Sequence, residues 1–150
     1  MTIVGMGNPE MGDDGVGVHV AELLRREPPA GAELVCAERD PALAAALLAE
    51  GKSVLLVDAV DMKDAPGSWR VFSPDDLAAA APPVARAGVT HTLGMGEVLE
   101  MARSLGWADR LRILGIQTGD VRPGRFLSPA VQRCVPEVLT RIREEAEAVS

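Results

Sequence analysis

The most informative stretch of this 150-residue chain is Ser53-Val54-Leu55-Leu56-Val57-Asp58. An uninterrupted apolar run that ends in an aspartate is typical of a central strand in a parallel sheet, where helices cover both faces. Just upstream, residues 41–50 are rich in Ala and Leu, begin with a proline and are followed by Gly51. These are the start and stop signals of a helix. A helix that leads into a buried strand is the repeating unit of an α/β protein.

The same alternation of short apolar runs and amphipathic stretches extends along the chain in both directions. We predict strands at residues 3–6, 33–36, 53–57, 68–72 (an edge strand) and 112–116. Helices are predicted from Asp14, at 41–50, after Ser73, at 92–105 and after Ser128, with a loop at 81–89. Such a pattern implies right-handed crossovers and parallel pairing. The expected fold is therefore one α/β domain over residues 1–150. It is a three-layer sandwich, whose mainly parallel, twisted sheet of about five strands carries helices on both faces.

Charge and hydropathy restrict the classes of function and partner that this chain can have. The net charge is −7 and the pI is about 4.8, so the phosphates of a nucleic acid would be repelled, whereas a metal ion or a neutral-to-basic partner would not. The sequence has no apolar run of about 18 residues, and its N-terminus lacks the features of a signal peptide. We therefore expect a cytoplasmic protein without a membrane span. Cys36 and Cys134 lie too far apart to form a metal knuckle.

Ligands of parallel α/β sheets bind beyond the carboxyl ends of the strands. Four segments follow predicted strands or lead into a helix at that edge: residues 5–15, 58–61, 89–91 and 117–120. Three of these segments offer a side chain that ligates metals. The carboxyl edge is thus the expected functional site.

The glycine-rich segment, Gly5-Met6-Gly7-Asn8-Pro9-Glu10-Met11-Gly12-Asp13-Asp14-Gly15, does not suit phosphate. Glu10 stands where a dinucleotide fingerprint needs its third glycine, and the Gly-Lys-Ser/Thr of a P-loop is absent. The acids Asp13 and Asp14 favour a cation instead. The alternative is that one of them only caps the first helix.

Asp58 and His91 supply the remaining polar groups. A carboxylate at the end of a buried strand is costly unless it is paired, solvated or coordinated. His91 taken alone fits an ordinary position at the start of a helix. Together with an acid of the glycine-rich segment, the two make a set of two carboxylates and one imidazole, which suits a first-row metal. An incomplete ligand shell leaves room for a metal that another molecule already holds.

Ordered motifs along the chain resemble those of the hydrogenase maturation endopeptidases. The resemblance is closest to the branch that serves formate-hydrogenlyase-type or coenzyme-F420-type nickel-iron hydrogenases. It covers residues 3 to about 120. The matching pieces are Gly5-Met6-Gly7-Asn8, Gly12-Asp13-Asp14-Gly15-Val16-Gly17, Leu56-Val57-Asp58-Ala59-Val60-Asp61-Met62, Pro66-Gly67, Ser73-Pro74-Asp75-Asp76-Leu77, Thr90-His91 and Leu114-Gly115-Ile116-Gln117.

The resemblance implies both an activity and a site. By resemblance, Asp14, Asp58 and His91 correspond to the metal-contacting residues of that family. Beside them, the edge segments of this sequence offer Asp13, Asn8 and Asp120 as accessory candidates. The implied substrate is the precursor large subunit of a nickel-iron hydrogenase, which brings its own nickel and loses a C-terminal extension. Other divalent metals would enter the site in vitro. The catalytic base is not identified by the sequence.

The chain departs from the family pattern in two places. Residues 37–41, Ala37-Glu38-Arg39-Asp40-Pro41, replace the Asp-Gly-Gly-Thr/Ser of many members. Thr118-Gly119-Asp120 replaces a proline-containing stretch, which makes Asp120 a candidate ligand or acid. Two other functions stay open from the sequence: a non-proteolytic nickel-binding maturation module, and a small-molecule metal-dependent hydrolase.

Overall fold

A computed structural model of the chain describes residues 1–38, 40–79 and 92–149. They contain a five-stranded sheet and the helices that flank it. The strands are β1 (Thr2–Met6), β2 (Glu33–Glu38), β3 (Val54–Val60), β4 (Trp69–Phe72) and β5 (Leu111–Gln117). The α-helices are α1 (Val16–Arg26), α2 (Ala42–Ala49), α3 (Pro74–Ala79), α4 (Thr92–Ser104) and α5 (Pro129–Val149). Short 3-10 turns at Gly12–Gly15 and Ala108–Arg110 precede α1 and β5.

The strand order is β2-β1-β3-β5-β4. The pairs β1–β2, β1–β3 and β3–β5 are parallel, whereas β4 runs antiparallel to β5 at the edge. The mainly parallel α/β fold and the edge position of residues 68–72 are thereby confirmed. The predicted loop at 81–89 lies outside the described residues.

Two apolar cores sandwich the sheet. On one face, α1 and α5 cover β1, β3 and β5, and Val131, Val135, Val138 and Ile142 of α5 are buried there. On the other face, α2 and α4 cover the opposite sides of the same strands. Successive side chains of a strand point to opposite faces, so both faces of β3 must be apolar, as its sequence indicates. The three-layer arrangement is confirmed.

Local signals set most helix starts within a residue or two. Ser73 Oγ accepts a hydrogen bond from the backbone N–H of Asp76 at 3.1 Å, and the Asp76 carboxylate accepts the Ser73 N–H at 2.8 Å. This reciprocal capping box starts α3. Pro41 precedes the first helical residue of α2 and does not occupy it, a one-residue shift from the prediction.

The prediction that Asp58 follows its strand was wrong. Asp58 lies inside β3, because β5 continues to Gln117 and holds β3 as far as Val60 by parallel pairing. β3 therefore extends beyond its uninterrupted apolar run, which ends at Val57. Asp58 is paired with Gly115 and lies two residues before the carboxyl end of β3.

Candidate metal-contact site at the carboxyl edge

Glycines in and just after the glycine-rich segment let the chain pass closely over the ends of β1 and β3. A Cβ on Gly17 would stand 2.1 Å from the Val57 carbonyl oxygen and 2.3 Å from that of Met6. Only a residue without a side chain fits there. The first turn of α1 is thus pressed onto the two strand ends. That contact brings the segment with Asp14 to the edge where Asp58 lies.

Asp14 is buried, with 1% of its surface exposed. Its Oδ2 accepts the backbone N–H of Asn8 at 3.0 Å, which ties the two ends of the glycine-rich segment together. Gly7, at φ +124°, makes this possible, since a Cβ there would stand 1.8 Å from the Asp14 carbonyl oxygen. Asn8 contributes its backbone to Asp14, and its side-chain oxygen accepts the Glu10 N–H at 3.0 Å.

Asp58 is buried to the same degree, with 2% exposed. One oxygen accepts the N–H of the next residue, Ala59, at 2.8 Å. Two nearly inaccessible carboxylates, Asp14 and Asp58, thus lie in segments that touch at the carboxyl ends of neighbouring strands. Such groups are retained in protein interiors when they are hydrogen-bonded, paired or used.

His91 lies outside the described residues. Residues 1–38, 40–79 and 92–149 hold no cluster of three ligating side chains, so the trio of Asp14, Asp58 and His91 stays a prediction.

Asp13, next to Asp14 in the sequence, has a structural role. It is fully buried, and its carboxylate accepts four hydrogen bonds. Oδ2 receives the backbone N–H groups of Gly119 and Asp120 at 2.7 and 2.8 Å and the Ser128 hydroxyl at 2.7 Å, and Oδ1 receives the Ser128 N–H at 2.6 Å. Both oxygens are therefore occupied by the segment between β5 and α5. Neither Asp13 nor Asp14 is the N-cap of α1, which is Gly15, so the capping alternative is wrong.

Asp120 is held by Arg122. The guanidinium Nε and one terminal nitrogen donate to its two oxygens at 2.9 and 2.7 Å, and the Arg122 N–H adds a third bond at 3.1 Å. These bonds hold the pKa of the Asp120 carboxyl well below its usual range. The fork-to-carboxylate geometry occupies Asp120 within its own loop.

Gln117, at the end of β5, organises the turn after β3 and was not among the predicted site residues. Its Oε1 accepts the N–H groups of Met62 and Asp64 at 2.6 and 3.3 Å, and its Nε2 donates to Asp61 at 3.3 Å. Asp61 also accepts the Lys63 N–H at 3.0 Å, so it forms a turn. A single glutamine signals nothing by itself, and only the pairing of β3 with β5 brings these groups together.

The divergent stretch of residues 37–41 begins within β2, and its backbone is hydrogen-bonded to the glycine-rich segment. The Gly7 N–H donates to the Glu38 carbonyl oxygen at 2.6 Å, and Glu38 adopts a positive φ of 46°. Asp40 accepts the N–H of Ala42 at 3.0 Å and so begins the turn into α2. Arg39 lies outside the described residues.

The family model of the HycI hydrogenase maturation proteases matches residues 18–145. The chain belongs to this family. The match contains Asp58 and the position of His91, whereas Asp14 stands upstream of its first residue. The protein is accordingly an endopeptidase of hydrogenase maturation, a peptide hydrolase.

Solved structures share the fold of this protease over almost its whole length. The hydrogenase 3 maturation protease is 26% identical, with a TM-score of 0.73 over 93% of this chain and 86% of that one. The endopeptidase HycI from Escherichia coli is 25% identical, with a TM-score of 0.75 over 95% and 88%. The maturating endopeptidase HybD from E. coli, at 24% identity and a TM-score of 0.70 over 94% and 88%, is similar in fold. Comparison with the curated proteins gives no match.

Within the described ranges of this protease, no helix combines the length and the apolar character that a bilayer crossing requires. Its longest helix, α5, has 21 residues and buries one face against the sheet.

Proposed function

We propose that this protease recognises nickel in the precursor large subunit of a nickel-iron hydrogenase and removes the C-terminal extension of that precursor. The observation that carries the proposal is the pair of buried carboxylates, Asp14 and Asp58, at the carboxyl edge of the sheet of a hydrogenase maturation protease. A buried carboxylate is costly to keep unless it has a cationic or hydrogen-bonding partner. Both carboxylates accept backbone hydrogen bonds, and nickel that arrives with the precursor would add a cation that their oxygens can ligate.

In this proposal the metal belongs to the substrate. Asp14, Asp58 and His91 complete its coordination when the precursor docks, and this places the scissile peptide against the edge of the sheet. Carboxylate and imidazole donors suit Ni²⁺ and other first-row divalent ions. The metal, or a neighbouring carboxylate, then activates the attacking water. A precursor without nickel would lack the group that positions the cut, so cleavage would report that the metal has been inserted.

The decisive experiment is intact-mass measurement of the cognate precursor after incubation with the protease, once with nickel loaded and once without. We expect loss of a short C-terminal peptide from the nickel-loaded form alone. Cleavage of both forms would remove nickel recognition from the proposal and leave the protease. An unchanged mass of a loaded precursor, with tight nickel binding by the isolated protein, would favour a non-proteolytic nickel-binding module. Turnover of small amides without any protein partner would favour a small-molecule hydrolase.

A further inference from the structure

The loop of residues 118–128, between β5 and α5, presents the most exposed large apolar side chain of the described residues. Phe126 is 91% exposed. On the same loop Val121 is 37% exposed. Exposed apolar residues scattered singly are common on protein surfaces, so exposure alone does not mark a site. Phe126 differs from a singly scattered residue in how its loop is held, where that loop lies and what charge the loop carries.

The loop is fixed at both ends and in the middle. The Asp13 carboxylate binds Gly119 and Asp120 at one end and Ser128 at the other. Between them, the Gly124 N–H donates to the Glu10 carbonyl oxygen at 2.8 Å. These bonds define the loop backbone on either side of Phe126. The loop backbone is thus anchored before a partner arrives, which lowers the entropic cost of ordering the loop on docking.

The glycine-rich segment that anchors the loop also carries Asp14 of the candidate metal-contact site. Asp13 donates its own N–H to the Asp120 carbonyl oxygen at 2.7 Å, and the next residue is Asp14. A Cβ on Gly12 would stand 2.3 Å from that same carbonyl oxygen, so the two segments are in direct backbone contact. A chain segment that reaches Asp14 can therefore lie against the loop as well.

The loop is basic on a protein whose net charge is −7. It carries Arg122 and Arg125 against one acid, Asp120, and Arg122 is engaged with that acid. Exposed Arg125, next to Phe126 in sequence, supplies the remaining positive charge. An aromatic ring beside a guanidinium fits a peptide segment that offers an apolar side chain next to a carboxylate.

We propose that Phe126 and Arg125 form a docking surface for the hydrogenase precursor. This surface binds an apolar-acidic segment of the precursor while the precursor's metal contacts Asp14. The inference rests on the proposed function, because it names the precursor as the occupant. Phe126 acts as the buried anchor of the complex, and Arg125 steers and orients the segment.

The test measures steady-state cleavage of the nickel-loaded precursor by Phe126→Ala, Arg125→Ala and Arg125→Glu variants. Leu105→Ala is the matched control, since Leu105 is also an exposed apolar residue, at 55%, but follows α4 near the opposite edge of the sheet. We expect Phe126→Ala to raise KM by about tenfold with kcat retained. Arg125→Glu should raise KM more than Arg125→Ala, with an effect that weakens as salt is added. Leu105→Ala should match the wild type.

A second measurement separates this inference from the proposed function. The Asp14→Asn variant, with and without Phe126→Ala, is titrated with precursor and binding is measured directly. Weaker binding of the double variant, by about the same factor as the KM change, supports docking at Phe126. Unchanged KM and affinity in a protease that still cleaves would overturn the docking surface alone. Failure of the wild type to cleave would overturn the proposed function. A concentration-dependent dimer that Phe126→Ala abolishes would make a second copy of the chain the occupant and overturn this inference.

Discussion

The Asp13 carboxylate accepts two hydrogen bonds from Ser128, one from its backbone N–H at 2.6 Å and one from its hydroxyl at 2.7 Å, across 115 positions of sequence. Together with the bonds from Gly119 and Asp120, they join the glycine-rich segment to the loop in front of α5. One buried side chain thereby fixes two segments that border the same edge of the sheet. The neighbouring aspartates thus differ in their partners, because Asp13 joins the glycine-rich segment to the loop before α5, whereas Asp14 accepts the Asn8 N–H within its own segment.

Asp13→Asn should destabilise the protein. The amide retains one acceptor oxygen but turns an NH2 group toward donors, which leaves buried N–H groups without an acceptor. We expect a loss of about 3 kcal/mol in the free energy of unfolding, measured as a lower urea midpoint at constant m-value. Asp109→Asn is the control, since Asp109 is exposed and precedes β5 at the opposite edge; its change should stay within about 0.5 kcal/mol. Equal midpoints for the two variants would show that the four bonds contribute nothing net.

Asp14→Asn should abolish processing and keep the fold. The amide oxygen can still accept the Asn8 N–H, so the glycine-rich segment remains closed, while the anionic ligand is lost. The rate of precursor cleavage should fall at least about 100-fold, with a thermal midpoint within a few degrees of the wild type. The precursor assay by mass spectrometry and a melting curve together measure this. Normal cleavage by a folded Asp14→Asn protein would remove Asp14 from the site.

The Asp120–Arg122 pair should make the free energy of unfolding depend on pH in the acid range. Hydrogen bonds from Arg122 keep the pKa of Asp120 in the folded protein below its value in the unfolded chain, near 4. Such a depressed pKa stabilises the fold at pH values above the unfolded pKa, and the contribution is lost as pH falls through the folded pKa. Urea midpoints of the wild type and Asp120→Asn should differ by a constant amount from about pH 7 to 5, and the gap should narrow below about pH 4. Both residues are partly exposed, so salt should reduce the gap. A gap that is the same at acid pH would contradict the assignment.

Gly17→Ala should prevent the close approach of α1 to the sheet. The added Cβ would overlap the carbonyl oxygens of Val57 and Met6, which are backbone atoms and cannot turn aside. We expect a loss of about 3 kcal/mol or more, or failure to fold, followed by denaturation and by soluble yield. Gly96→Ala in α4 is the matched control, because among the described residues its Cβ meets no atom within 4 Å. That change should raise stability by about 0.5 to 1 kcal/mol, as alanine suits a helix interior better than glycine does. If the two variants lost equal stability, crowding at Gly17 would not be the cause.

Local sequence signals account for the layers, for most element boundaries and for the edge at which the candidate site lies. Apolar periodicity, capping residues and Gly or Pro stops act within about ten residues, so they can be recognised without knowledge of the fold. The handedness of crossovers then places the ends of the strands together. That is why the sequence alone assigns Asp14 and Asp58 to one edge. The ordered motifs separately indicate the protease family to which the chain belongs.

The polar partners of these side chains depend on the tertiary packing. Nothing near Asp13 in the sequence distinguishes it from Asp14, yet one bonds to Ser128 and the other to Asn8. The length of β3, and so the position of Asp58 within it, depends on pairing with β5. The physical reason is the short range of a hydrogen bond. Its partner is set to within about 3 Å by the packing of segments that are remote in sequence, and local propensity carries no information at that distance.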